Sequence, residues 1–121
     1  MNELSEHNKM LFNVIVKIIC EGEKVSLKEL SGKRRFAPLP FCRHMIFYLM
    51  RNYSDASLAQ TGLMLMRDHA TVLHGCRKIE DYLKFDPRLR GKILRYISEV
   101  EKVVLPPVQE EEVFQQNDFF N

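Results

Sequence analysis

Apolar side chains recur every three or four residues along most of the chain, which is the spacing of amphipathic helices. The pattern predicts long helices over about residues 3–20, 40–52, 68–83 and 87–104, with shorter helical segments at about 26–30 and 57–65. No segment alternates apolar and polar residues as a half-buried strand does. The sequence therefore predicts an all-α fold, a helical bundle without a β-sheet.

Capping residues mark the ends of several predicted helices. Gly22 follows the first helix in the position of a C-cap. Ser57 and Gln60 have the spacing of a capping box, in which each side chain binds the backbone amide of the other residue. Asp68 is a good N-cap for the next helix. The helices that follow Ser57 and Asp68 are adjacent and separated by a tight turn, so the pattern predicts a helix-turn-helix.

The length and composition are typical of one soluble globular domain. The chain has 121 residues, of which 45% are hydrophobic and 28% are charged. It lacks the run of about 18 apolar residues that a membrane span needs. No basic leader precedes its first apolar segment, so we expect neither a membrane anchor nor a secretory signal. The three cysteines form no CxxC pair, so we expect a cytoplasmic protein without disulfide bonds.

The net charge of +2 conceals two regions of opposite charge. Residues 24–95 contain fifteen Lys and Arg against six Asp and Glu, whereas residues 106–121 contain four acidic residues and no basic ones. The basic region can attract phosphate groups, and the acidic region would repel or compete with them. Charge alone also fits ordinary solvated helix faces. The side chains of the helix that follows Asp68 are more informative.

The second helix of the predicted helix-turn-helix separates its apolar and polar residues onto two faces. At about 100° per residue, one stripe faces the core and the opposite side faces outward. The inward stripe is Val72, Cys76, Ile79 and Leu83, and the outward residues are Ala70, Thr71, His74, Arg77 and Lys78. Asp68 and His69 stand at the N-terminal end. Small and polar groups there suit base edges, and basic groups further along suit phosphates, as in a recognition helix.

A specific resemblance lies in residues 67–79, Arg-Asp-His-Ala-Thr-Val-Leu-His-Gly-Cys-Arg-Lys-Ile. The chain also has a basic run at 33–35, an Arg-His-Met run at 43–45, and a Ser-Leu pair at 57–58 followed by Gly62. In order and spacing, these segments resemble the C-terminal DNA-binding domain of the bacterial replication initiator DnaA. The resemblance covers about residues 25–83. It implies a helical bundle with a Trp-repressor-like helix-turn-helix over residues 1–105, and sequence-specific binding of double-stranded DNA.

The resemblance also implies roles for individual residues. Arg35 would enter the minor groove, where arginine responds to groove width and A·T content. The residues implied to contact bases are Arg35, Asp68, His69, Ala70 and Thr71. Those implied to contact phosphates are Lys33, Arg34, Arg43, Arg51, Ser57, Leu58, Ala59, Arg67 and Lys78. The family's target is an asymmetric nine-base site of the TTATNCACA type, bound by a single domain.

Three features depart from the family's pattern. Ala70 replaces the usual Thr or Ser and lacks its hydroxyl. The turn at residues 63–66, Leu-Met-Leu-Met, is one residue shorter than usual and contains no Gly, which would change how the two helices meet. No Gly-x-x-x-x-Gly-Lys-Ser/Thr motif is present. We therefore expect a DNA-binding domain without the ATPase, with no nucleotide and no other cofactor.

The sequence gives little support for metal binding or catalysis. His69, His74 and Cys76 do not match a common zinc-ligand spacing. Cys42 and His44 are two residues apart on a predicted helix, so they do not face each other as a nucleophile and a base would. We therefore predict no metal site and no catalytic residues, and we do not expect an enzyme.

Both ends of the chain leave alternatives open. The tail at 106–121 is predicted to be a disordered acidic end. Alternatively, Phe119 and Phe120 of this tail could dock on a protein partner, or the tail could fold back on the basic face. The first helix either packs on the last helix or helps to form a dimer. The alternative function is a protein-interaction module that uses the same scaffold without recognising DNA.

Overall fold

The computed structural model describes residues 3–104, which form six helices and no strand. The helices are α1 (Glu6–Glu23), α2 (Leu27–Ser31), α3 (Leu39–Tyr53), α4 (Leu58–Leu63), α5 (His69–Phe85) and α6 (Pro87–Val104). The all-α prediction is confirmed. The predicted tail at 106–121 lies outside the described residues. Within residues 3–104, no helix combines the length and the apolar character that crossing a bilayer requires.

Side chains cap the helices of the predicted helix-turn-helix. The Ser57 hydroxyl accepts a hydrogen bond from the Gln60 N–H at 3.0 Å, and the Gln60 side chain accepts one from the Ser57 N–H at 2.9 Å. The Asp68 carboxylate accepts a hydrogen bond from the Thr71 N–H at 2.8 Å. These contacts satisfy amides that have no partner within the helix. The predicted starts of α4 and α5 are therefore confirmed.

The predicted C-cap at Gly22 is wrong, because α1 continues through Glu23. Lys24 ends the helix instead, with a left-handed φ of 59°. Gly22 lies where α6 approaches α1, and a Cβ at this position would overlap the Tyr96 hydroxyl. The glycine therefore serves packing between two helices, which local sequence signals do not distinguish from a helix end.

α3 is the central helix and packs against each of the other five helices. Its buried side chains include Met45, Ile46, Phe47, Leu49 and Met50. The predicted inward stripe of α5 is also buried at Val72, Cys76 and Ile79. Full burial of such a side chain stabilises a fold by about 1.5–3 kcal/mol. The core therefore fixes the rotation of α5 and leaves its opposite face in solvent.

Polar contacts join α6 to α1 and α3. The Glu23 carboxylate accepts hydrogen bonds from the Tyr96 hydroxyl and, at 2.7 Å, from the Lys92 ammonium. The Tyr53 hydroxyl donates to the Glu101 carboxylate at 2.6 Å. These contacts accompany direct packing of α1 on α6. Of the two arrangements that the sequence left open for the first helix, the structure shows packing on the last helix.

Two helical glycines differ in the space around them, so substitution by alanine should affect stability in opposite directions. A Cβ on Gly75 of α5 would come within 2.8 Å of His44 Cδ2 and 3.1 Å of Phe47 Cδ2 on α3. We predict that Gly75→Ala lowers the free energy of unfolding by about 1–2 kcal/mol, because overpacking outweighs the gain in helix propensity. Chemical denaturation followed by circular dichroism measures this change.

Gly91 of α6 provides the matched control. A Cβ at Gly91 would have no neighbouring atom within 4 Å. The same substitution there should therefore raise the free energy of unfolding by about 0.5–1 kcal/mol, which is the ordinary gain from Gly to Ala in a helix. Equal effects of Gly75→Ala and Gly91→Ala would contradict the close approach of α3 to α5.

Candidate nucleic-acid interface

The first turn of α5 projects into solvent. Asp68, His69, Ala70 and Thr71 are all exposed, whereas Val72 directly after them is fully buried. The hydrogen bond from the Thr71 N–H holds the Asp68 carboxylate at the helix N-terminus and lowers its pKa. Four residues of small or polar character therefore stand in a fixed arrangement at the exposed end of a rigid helix.

The turn between α4 and α5 closes without a glycine in its left-handed position. The Gly62 carbonyl accepts hydrogen bonds from the N–H groups of Leu65 at 2.9 Å and Arg67 at 2.8 Å. Leu65 is fully buried and anchors the turn in the core. Met66 takes a φ of 60° and is 75% exposed. The short turn thus brings α4 and α5 into direct contact, and a methionine occupies the conformation that glycine favours.

Two arginines bind backbone carbonyls at the end of α2, next to the basic run at residues 33–35, which we call the basic loop. Arg43 of α3 donates from Nε to the Leu30 carbonyl at 2.8 Å, and from Nη2 to the Glu29 and Gly32 carbonyls at 3.1 Å. Arg67 donates from Nη2 to the same Gly32 carbonyl at 2.6 Å and from Nη1 to the Leu65 carbonyl at 2.8 Å. We call this shared arrangement the Gly32 clasp. It joins α2, α3 and the turn before α5.

Arg43 is therefore buried, whereas a phosphate contact requires an exposed side chain. The predicted phosphate contact at Arg43 is wrong. Arg43 is only 5% exposed, and its guanidinium group satisfies carbonyls at the C-terminal end of α2. Burial lowers its pKa, with a smaller effect from the positive charge of Arg67. The sequence does not signal this role, because an arginine that binds carbonyls and one that binds phosphates have the same residue type and helix position.

The basic loop, the start of α3, the turn and the start of α5 together enclose a concave surface, which we call the basic groove. Its lining residues are Lys33, Arg35, Pro40, Arg43, His44, Met66, Arg67 and Thr71. The loop and the turn contain four residues that the sequence predicts to contact phosphates or bases. The groove brings three of them, Lys33, Arg35 and Arg67, together with Thr71. The predicted DNA-contacting residues are therefore concentrated in this groove.

Other candidate residues lie outside the lining of the basic groove. Arg34 places its guanidinium carbon 5.8 Å from the centre of the Phe36 ring. Arg51 is exposed on the last turn of α3. Lys78 is exposed on α5 with its ammonium 6.0 Å from the centre of the Tyr82 ring. These side chains remain accessible to solvent, so they extend the charged surface rather than form a single pocket.

The first turn of α4 contacts the N-terminal segment and has one acidic residue, Asp55, close before it in the chain. Ser57, Leu58 and Ala59 begin this helix, and the Gln60 side chain also donates to the Glu3 carbonyl at 3.0 Å. Asp55 lies two residues before Ser57, where its carboxylate accepts a hydrogen bond from Asn8 of α1 at 2.7 Å. The contact with the N-terminal segment links residues distant in sequence, so no local signal could reveal it. Negative charge here weakens attraction for a phosphate.

His44 is half-buried between α3 and α5. Its ring meets that of His74 edge to face, with 5.9 Å between the ring centres. Its Nδ1 is buried and makes no hydrogen bond within the described part of the chain. Burial, followed by the nearby His74, Lys78 and Arg43, lowers the pKa of His44 to about 4. The imidazole is therefore neutral near pH 7 and serves as a packing group under the basic groove.

The cysteines do not form a reactive or metal-binding centre with these residues. Burial raises the pKa of Cys42 to about 12, and it also raises the pKa of Cys76. A protonated thiol is a poor nucleophile and a poor metal ligand. Among residues 3–104, no group of three or more His, Cys, Asp or Glu side chains is arranged to hold a metal ion.

The arrangement defines a class of protein, an all-α bundle whose helix-turn-helix exposes the start of its second helix beside a basic groove. Comparison with known proteins agrees: residues 12–79 match the family described as the bacterial DnaA protein helix-turn-helix. The chain belongs to this family. No solved structure gives a significant match to the chain.

Individual relatives are all similar to this chain over a limited part of their own length. The chromosomal replication initiator protein DnaA of Thermomicrobium roseum is 38% identical over 82 residues, which are 67% of this chain and 18% of that protein. The DnaA of Lachnoclostridium phytofermentans is 33% identical over 93 residues, 74% of this chain and 20% of that protein. The DnaA of Acholeplasma laidlawii is 30% identical over 105 residues, which are 86% of this chain and 23% of that protein. The chain thus spans about a fifth of the length of these relatives.

The position of His44 generates a prediction about pH. Its folded-state pKa of about 4 lies below the ordinary value of 6.5, so the unfolded chain binds the proton more readily. This contribution to stability is complete above about pH 6.5 and is lost as the pH falls toward 4. We predict that the wild-type chain loses more stability between pH 7 and pH 4.5 than His44→Gln, whose side chain does not titrate. Denaturant unfolding at both pH values tests this, and parallel losses would contradict it.

Proposed function

We propose that this chain binds double-stranded DNA in a sequence-specific manner through α5 and the basic groove. The observation that carries the proposal is the position of the exposed first turn of α5 beside Arg35 and Arg67. Polar groups on a rigid helix can make geometrically defined contacts with base edges. Adjacent cationic groups supply the attraction for phosphates that orients a protein on the duplex.

We assign the contacts in two groups. The proposed base contacts are the exposed residues Arg35, Asp68, His69, Ala70 and Thr71. The proposed phosphate contacts are Lys33, Arg34, Arg51, Ser57, Ala59 and Lys78, which are exposed, and Leu58 and Arg67, which are half-buried. Arg43 is given a positioning role instead, because its guanidinium group is buried in the Gly32 clasp. It would act by holding the basic loop, with Arg35, beside the start of α5.

The relatives support a role in replication initiation or its regulation, since they are named chromosomal replication initiator proteins. We infer that the target is a nine-base site of the TTATNCACA type. The sequence contains no phosphate-binding Gly-x-x-x-x-Gly-Lys-Ser/Thr motif, so we propose that this chain binds DNA without a nucleotide and without ATP hydrolysis. The proposed location is the nucleoid in the cytoplasm.

The first test measures sequence preference. Fluorescence anisotropy would compare a duplex containing the nine-base site with one of scrambled sequence. We expect tighter binding to the site, and His69→Ala should reduce the difference between the two duplexes by about 1–3 kcal/mol, because a base contact is lost. Equal affinity of the wild-type chain for both duplexes would contradict the proposal.

The second test measures the phosphate contribution through its salt dependence. Lys78→Ala should weaken binding to both duplexes and reduce the slope of log K against log salt by about 0.9, because one counterion fewer is released. Lys17→Ala is the matched control, since Lys17 is exposed on α1, which packs on α3 and α6. Equal slopes for the two variants would exclude Lys78 as a phosphate contact.

The alternative is a protein-interaction module that uses the same scaffold, with an acidic partner-binding segment in the tail at 106–121. It predicts partner binding that is lost when the chain is truncated after Pro106. DNA binding should survive this truncation, because α5 and the basic groove lie within residues 3–104. The exposed start of α5 favours the DNA-binding function over this alternative.

A further inference from the structure

Met66 combines a left-handed backbone conformation, which closes the turn after α4, with a largely exposed side chain. Within residues 3–104, only Lys24 and Met66 are non-glycine residues with a positive φ, at 59° and 60°. Lys24 closes α1, and its backbone N–H bonds the Cys20 carbonyl. Met66 lies in the turn between α4 and α5, where glycine would adopt the same conformation without steric conflict.

The side chain of Met66 contributes little to the hydrophobic core. It is 75% exposed, whereas the neighbouring Leu65 is fully buried and anchors the turn. An apolar side chain therefore stands in water at a position that disfavours side chains in general. Non-glycine residues in this backbone region cluster at active sites and at ligand-binding segments, so the position is a candidate for a functional role.

The location of Met66 indicates which ligand would cover it. Met66 lines the basic groove together with Arg35 and Thr71. The charged and polar groups of this groove suit phosphates and base edges, but none of them provides a flexible apolar surface. Methionine does, because its unbranched thioether chain adapts to irregular shapes. On a DNA duplex, the complementary apolar groups are thymine methyls and deoxyribose carbons.

We propose that Met66 is an apolar DNA contact that contributes to the affinity of this chain for its target site. The inference rests on the proposed DNA-binding function and adds a residue that the family resemblance did not assign. The methionine side chain packs against carbon atoms of the duplex while Arg35 and Thr71 supply charge and hydrogen bonds. This contact uses the turn itself as part of the interface.

Three substitutions of Met66 separate the side chain from the backbone. Met66→Gly removes the side chain and the backbone conflict, so the variant should be at least as stable as the wild type. Met66→Gln keeps a similar length and the same backbone conflict but removes the apolar end. Met66→Leu keeps the apolar character. Met10→Gln is the control, because Met10 is 67% exposed on α1.

The measurement is the affinity of each folded variant for the nine-base duplex, with thermal unfolding as the check on folding. We expect Met66→Gly and Met66→Gln to bind about tenfold more weakly than wild type, and Met66→Leu and Met10→Gln to bind within about twofold of it. Loss of affinity in a glycine variant that is not destabilised would show that the side chain acts on DNA. Wild-type affinity of both Met66→Gly and Met66→Gln would overturn the proposal.

Duplexes that contain deoxyuridine in place of thymidine identify the carbon atoms involved. If Met66 packs on a thymine methyl, the penalty of Met66→Gly disappears on the uracil-containing duplex. If it packs on deoxyribose, the penalty persists, and both results support an apolar contact. A wild-type chain that binds no duplex would reject the proposed function. A wild-type chain that binds, together with Met66→Gly and Met66→Gln variants that bind equally well, would reject only the role of Met66.

Discussion

The candidate interface depends on the convergence of two guanidinium groups on one backbone carbonyl. Arg43 and Arg67 both donate to the Gly32 carbonyl, from α3 and from the turn before α5. A loop of positively charged residues is not expected to hold one position beside the start of α5 without further contacts, because the charges repel one another and water solvates them well. Charge-assisted bonds to a carbonyl are stronger than neutral ones, so the Gly32 clasp gives the loop a defined position.

The packing of α5 on α3 supplies the second constraint. Gly75 permits α5 to approach His44 and Phe47 closely, and Val72 and Ile79 are buried on the same side. A helix held this closely cannot rotate to hide its opposite face, because every buried side chain would lose its contacts. The exposure of His69 follows from the core rather than from the sequence of the first turn itself.

Patterns local in sequence predicted the architecture well. The spacing of apolar residues gave the six helices in order, and the capping signals at Ser57 and Asp68 gave two helix starts. Features that depend on contacts distant in sequence were not predictable in this way. Gly22 resembles a C-cap until Tyr96 is placed beside it, and the burial of Arg43 depends on carbonyls thirteen or so residues away in α2. Likewise, no local pattern shows that the N-terminal segment contacts Gln60.

Two features of the basic groove are energetically unfavourable in the protein without a ligand. One is electrostatic and the other is the exposure of an apolar side chain. The positive charges of Arg67 and Arg35 add to burial in lowering the pKa of Arg43, which reflects repulsion between neighbouring guanidinium groups. Met66 exposes an apolar side chain from a left-handed backbone position. A polyanion would relieve the repulsion, and a surface with accessible carbon atoms would cover the methionine. A DNA duplex has both properties, so charge and apolar exposure, taken independently, favour the same ligand for the same surface.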